Sequence, residues 1–207
     1  MAQRSKSGGL LILLVLGAVL LARKSKDAGI ANMNLTGTKV EPQKSWSGQT
    51  SDWARTRFGA ALAEVKKRWG ADYDDKQARD VALSILTHWS IETAAGAAEW
   101  NYNVGNITAV GKQTYFLLRD ISGDVLPFRA FDSITDGVAA YFDLLSTLRY
   151  QAAAKKLSND PTEPDWYVQL GKSGWFDPTK AQPPSTWEHA AADYAARRAN
   201  LAQYAAG

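Results

Sequence analysis

Ala82-Leu83-Ser84-Ile85-Leu86-Thr87-His88-Trp89-Ser90-Ile91-Glu92-Thr93-Ala94-Ala95-Gly96 begins as an apolar helical run and ends in small residues. Ala78, Val81, Ala82, Ile85, Leu86 and Trp89 recur at the three- and four-residue spacing of one helix face. A helix that starts after Asp74 or Asp75 buries that stripe, and Gly96 stops it. Glu92 falls on the same stripe. A carboxylate there meets the negative end of the helix dipole and an apolar surround, and both oppose its charge. A carboxylic acid that keeps a proton to donate is what general acid catalysis requires. The plainer reading is a Glu fraying at a helix end and paired with a nearby base. His88 lies one turn earlier on the same face, so it either hydrogen-bonds Glu92 or is satisfied within the core.

Outward from this helix, a preceding one runs from Thr50 or Ser51 to Gly70, with Phe58, Ala61, Leu62, Val65 and Trp69 on its buried face. After Gly96 comes the loop Trp100-Asn101-Tyr102-Asn103-Val104-Gly105-Asn106-Ile107-Thr108. Asn101, Asn103 and Asn106 offer uncharged amides to sugar hydroxyls and N-acetyl groups, or else satisfy turn backbone. Trp100 and Tyr102 either stack on a sugar ring or pack inward, and Glu99 reads as solvated surface. Two aromatic and apolar runs follow, Gln113 to Arg119 and Val125 to Phe131, separated by Ile121-Ser122-Gly123-Asp124. That is a hairpin pattern. Ser133 with Asp136 marks a helix start, and Val138, Tyr141, Phe142, Leu145 and Leu148 continue at helical spacing toward Tyr150. Trp166 to Leu170 suggests a short helix, Gly171 to Pro184 is broken, and a last helix runs from Thr186 or Trp187 to about Tyr204. The class implied is α+β, mainly α, with one small hairpin beside the Glu92 helix end.

The chain has 207 residues, 45% of them hydrophobic, enough for one domain with a core and a tail. Its +3 formal charge is misleading, because Arg4, Lys6, Arg23, Lys24 and Lys26 precede the first acid. The remaining 19 bases face 21 acids from residue 27 onward, so nothing in the body suggests a nucleic-acid surface. With no cysteine, disulfides, thiolate zinc sites and cysteine nucleophiles are excluded together. His88 and His189 are the two histidines, too few for a His-rich metal site, and no cofactor motif is present.

Gly8 to Ala22 is uncharged, apolar and flanked by bases on both sides. As a helix its 15 residues reach about 22 Å, short of the ~30 Å hydrocarbon core, and flanking Lys and Arg side chains snorkel to make up part of the difference. A cleaved secretory signal is the competing reading. Bases directly after Ala22 and no small-x-small site favour a retained anchor. Residues 1–22 are therefore expected to be a membrane anchor contacting lipid through residues 8–22, residues 23–49 a flexible linker, and residues 50–207 the domain.

Ile91-Glu92-Thr93 with Gly96, then Gly105-Asn106-Ile107, then Phe128-Arg129-Ala130-Phe131-Asp132-Ser133 and the helix toward Tyr150 come in a distinctive order. With the late turn Leu170 to Pro178, this order resembles the glucosaminidases and flagellar muramidases of glycoside hydrolase family 73, within the lysozyme-like superfamily, over roughly residues 50 to 205. The resemblance implies a lysozyme-like fold and cleavage of the β-1,4 glycan strands of peptidoglycan, without metal or organic cofactor. It matches Glu92 to the family's proton donor and Tyr150 to the Tyr that lines the cleft; Trp100, Asn101, Asn103 and Asn106 are candidate substrate contacts from the loop's own composition. Relatives carry a second acid on the hairpin, where this chain has Arg119 and Asp120. Asp120 is the nearest substitute, one position off and one methylene shorter. Without a second carboxylate the remaining route is lytic transglycosylation, in which one acid/base suffices. The expected location is a virion membrane of a phage or a bacterial envelope. The rival is a membrane-anchored glycan-binding or virion structural protein that kept the fold and lost turnover.

Overall fold

The computed structural model describes residues 34–119, 125–180 and 184–205. Among them the order is α1 (Thr50–Trp69), α2 (Asp75–Glu92), β1 (Tyr115–Arg119), β2 (Val125–Arg129), α3 (Ile134–Leu145), α4 (Gln151–Asn159), α5 (Asp165–Lys172) and α6 (Trp187–Ala205). A 3-10 turn, Pro178–Lys180, precedes α6. The fold is mainly helical with one small antiparallel hairpin, as the patterning predicts.

Every side chain from Val81 to Ile91 of α2 is buried, which places this helix at the centre of the domain. α1 and α6 pack along it, and α4 also reaches it. The apolar stripe accounts for one face; Ser84, Thr87, His88 and Ser90 turn inward as well. Such polar groups are tolerated only when bonded. Thr87 Oγ1 donates to Leu83 O at 2.8 Å, Ser90 Oγ to Thr87 O at 2.7 Å, and Ser84 Oγ to Pro161 O. From α6, the Tyr194 hydroxyl donates to Ser84 O at 3.1 Å and accepts from the Trp166 indole at 2.8 Å. Burial pushes that phenol up to about 12, so it keeps the proton it donates.

Capping residues set several ends. Asp74 accepts from Gln77 N at 2.7 Å at the start of α2, and Ser133 accepts from Asp136 N at 3.2 Å at the start of α3. The α2 terminus differs from expectation. Gly96 does not stop it: the helix ends at Glu92, where Ala95 N reaches back to Ser90 O at 2.8 Å and Ala94 is left-handed at φ 48°. This is the Schellman closure, with Ala where Gly is usual. α3 likewise ends at Leu145, not near Tyr150, and Leu148 is 90% exposed. Ser146 and Thr147 hydroxyls turn back onto Phe142 O and Leu144 O there, and a new helix, α4, starts after Tyr150. α4 was not legible because it buries only Ala153 and Leu157, too few positions to establish a period.

The hairpin pairs Tyr115 with Arg129 and Arg119 with Val125, and Phe116 stacks on Phe128 with centroids 5.9 Å apart. Neither edge is bare. Along β2, Arg129 N donates to Ile107 O at 2.8 Å and Ala109 N to Pro127 O at 3.1 Å. Along β1, Tyr115 N donates to Thr38 O at 3.0 Å and Val40 N to Tyr115 O at 2.8 Å. Covering an edge in this way satisfies its backbone groups. A linker extending through Gln49 therefore does not describe this part of the chain: residues 36–45 lie on the domain, bonded to the hairpin and to residues 99–101. Residues 8–22, where the membrane helix is expected, lie outside the described residues, among which no helix is long and apolar enough to cross a membrane.

Candidate active site

Glu92 occupies the last residue of the central helix, with 13% of its side chain exposed. A buried helix can aim a terminal side chain firmly, because every neighbour holds its axis. His88, one turn earlier and fully buried, places Nε2 3.1 Å from Glu92 Oε1. Its other nitrogen, Nδ1, lies 2.6 Å from the Tyr141 hydroxyl of α3. His88 is thus both things the sequence allowed, a core histidine and a partner of Glu92. Its ring is enclosed by Tyr141, Trp166, Tyr167 and Trp175, with centroids between 5.2 and 5.9 Å away. Burial first, and then the Glu92 charge, push the Tyr141 and Tyr167 phenols well above their ordinary range.

Asn106 closes the other side. Its Nδ2 donates to the backbone oxygen of Glu92 and lies 3.2 Å from Oε2. A helix-end carbonyl has no intrahelical partner, so this amide both caps α2 and touches its carboxylate. Asn106 holds that position with φ at 48°, and the left-handed region is crowded throughout this loop: Ala94, Ala95, Asn101 and Tyr102 also lie between φ 48° and 55°. Among the described residues, Asn34 is the one other non-glycine with φ in that region. Backbone strain concentrated beside one carboxylate is typical of functional loops. At Gly105 the approach is so close that a Cβ would sit 2.6 Å from the Tyr141 ring.

The remaining sequence candidates divide. Asn103 is buried and its amide is consumed by the loop: Nδ2 donates to Ile107 O at 2.9 Å and Arg129 O at 3.0 Å, while Oδ1 accepts from Ile107 N at 2.7 Å. Asn101 accepts from Gln43 N at 2.9 Å and so anchors the N-terminal segment. Both amides satisfy backbone, the alternative use the sequence left open. Trp100 is half-buried under the Lys44 ammonium, 5.6 Å from its ring. Tyr150, expected to line the cleft, is buried against Trp175 with centroids 5.1 Å apart. Asp120 lies outside the described residues. Glu99 is not surface: it is fully buried and receives Arg57 Nη2 at 2.6 Å, Arg57 Nε at 3.0 Å and the Trp53 indole at 2.8 Å. No group of three or more metal-ligating side chains occurs among the described residues.

Tyr141 and Trp175 were not singled out for the site by sequence. Tyr141 looked like one more position on the α3 stripe; the available signal was its hydroxyl, which a buried Tyr must place on a partner. Neither a family model nor a curated protein matches the sequence. Solved structures do. The crystal structure of a peptidoglycan hydrolase from Sphingomonas sp. A1 superposes with a TM-score of 0.55 at 20% identity, covering 76% of this chain and 96% of that one. A glutamate-to-alanine mutant of the same hydrolase gives a TM-score of 0.55 at 18% identity, covering 74% and 94%. The fold is shared.

Proposed function

We propose that this protein cleaves the β-1,4 glycan strands of peptidoglycan, with Glu92 as the general acid. The observation that carries the reading is the placement of one partly shielded carboxylate at the end of a helix buried from Val81 to Ile91, held by His88 and Asn106, in a fold shared with a peptidoglycan hydrolase. Glu92 gives its proton to the glycosidic oxygen as the C1–O bond breaks, so the leaving sugar departs as an alcohol. The resulting carboxylate takes the proton of the muramyl 6-hydroxyl while that oxygen bonds to C1. The ring closes, no water is consumed, and Glu92 is again an acid. Lytic transglycosylation is favoured over hydrolysis because it asks for one carboxylate, and Glu99, the nearest acid in sequence among the described residues, is committed to Arg57.

Residues 8–22 supply a lipid tether in this reading, and the enzyme acts from a virion membrane or a bacterial envelope on wall within the linker's reach. The test is to incubate the full chain with purified peptidoglycan and analyse released fragments by mass spectrometry. Anhydro-muramyl ends are expected; reducing ends would replace transglycosylation by hydrolysis, and strand binding without release would make this an inactive glycan-binding protein. Glu92→Gln should lower release by roughly 10²–10⁴-fold with its circular dichroism and melting unchanged. A Glu92→Gln protein that cleaves at the wild-type rate would remove the assignment.

A further inference from the structure

The Tyr141–His88–Glu92 chain has a direction, and it deepens the proposed function, on which its catalytic meaning rests. Tyr141 is fully buried, and among the described residues its hydroxyl meets one partner, His88 Nδ1 at 2.6 Å. Were Nδ1 to carry a hydrogen and donate to the phenol, the phenol's own proton would be left buried without an acceptor, a cost of about 1–3 kcal/mol. Burial keeps that proton on the phenol in any case. Nδ1 is therefore the acceptor. A neutral imidazole carries one hydrogen, so it sits on Nε2 and points at Glu92 Oε1, 3.1 Å away. A doubly protonated ring would again leave the phenol's proton without an acceptor.

We propose that Tyr141 and His88 are positioning residues that lock the imidazole in its Nε2–H tautomer, so that Oε1 of Glu92 is always an acceptor and the transferable proton resides on Oε2. Asn106 approaches Oε2 with a hydrogen-bond donor, Nδ2 at 3.2 Å, which leaves that oxygen able to carry and release a proton while the group stays in place. The carboxyl thus keeps one fixed orientation through both halves of the cycle: Oε2–H gives its proton to the leaving oxygen, and Oε2 takes the next one from the attacking hydroxyl. His88 does not exchange a proton in either step. Its contribution is to hold the acid's orientation, and Tyr141 acts through it.

Two experiments on the full chain test this. In ¹⁵N-histidine-labelled protein only His88 and His189 contribute signals, and His189 is exposed and assignable by His189→Gln. His88 should show an unprotonated Nδ1 and a protonated Nε2, and Tyr141→Phe, which retains the ring, should release it into a tautomer mixture. On soluble peptidoglycan strands, His88→Leu should lower kcat by about 10- to 100-fold, the value of a hydrogen bond to a carboxylate, and Tyr141→Phe, which loses a bond between neutral groups, by about 3- to 10-fold, each with KM unchanged. His88→Gln, whose amide reaches the Nε2 position as a donor, should recover most of the loss. A protonated Nδ1, an imidazolium, a wild-type kcat in Tyr141→Phe, or a loss confined to KM would each overturn the proposal. An inert Glu92→Gln beside a fully active Tyr141→Phe would sink this inference and leave the proposed function standing; an active Glu92→Gln would sink that function, whatever the tautomer.

Discussion

At Ala94 a residue with a Cβ occupies the left-handed position that closes α2, two residues from Glu92. Glycine has no steric penalty there, so Ala94→Gly should raise stability by about 0.5–1 kcal/mol, read as a higher urea midpoint at unchanged slope. Gly105 has the opposite sensitivity. A Cβ there would lie 2.6 Å from the Tyr141 ring and 3.2 Å from the Trp175 ring, both buried. Gly105→Ala should therefore cost about 1–3 kcal/mol and, by moving Tyr141 off His88, lower the cleavage rate as well. A variant with wild-type melting temperature and rate would show that the loop gives way freely and that the aromatic shell is less tightly built than its distances indicate.

Between elements, Arg57 of α1 and Glu99 of the turn after α2 form the one ion pair among the described residues with both side chains buried below a twentieth exposure. The Trp53 indole shares the carboxylate, the Trp46 ring lies 5.5 Å from the guanidinium, and Ser45 N donates to Glu99 O at 3.0 Å. One buried pair thus joins α1, the turn and the segment 36–45. Removing only Arg57 strands a buried carboxylate, so Arg57→Met should destabilise by about 3–5 kcal/mol. Arg57→Met with Glu99→Leu should restore much of that, because neither charge then needs solvation. Urea unfolding of the three proteins gives the comparison; additive losses would mean that the pair is not coupled. By the same geometry, the hairpin edge at Tyr115 depends on Thr38 and Val40, so a version beginning at residue 46 should melt earlier than one beginning at residue 34.

For the whole molecule, the expected tether and the folded domain make separable contributions. Deleting residues 1–22 should abolish co-sedimentation with lipid vesicles while leaving cleavage of soluble strands unchanged, since the described domain packs its own core around α2. Loss of soluble-strand activity on that deletion would mean that the segment belongs to the fold rather than to a membrane. The deletion leaves Arg23, Lys24 and Lys26 in place, so residual vesicle binding that vanishes in high salt would trace to these bases.

The local order of the chain determined which elements form and where the acid sits. Helical spacing marked α1, α2 and α3, two apolar and aromatic runs separated by turn residues marked the hairpin, and the apolar run into Glu92 put a carboxylate at a helix end, because each of these signals is written within a few residues of itself. Tertiary structure decided what surrounds that carboxylate. His88 meets Tyr141 across 53 residues, Glu99 meets Arg57 across 42, and Asn101 holds Gln43 across 58, separations over which no periodicity carries information. Which of three similar asparagines touches Glu92 was likewise settled by the path of the loop: Asn101 and Asn103 satisfy backbone, and only Asn106 is turned onto the helix end. A side chain's period tells which way it faces, but its hydrogen-bond partner depends on what the rest of the chain brings to that face.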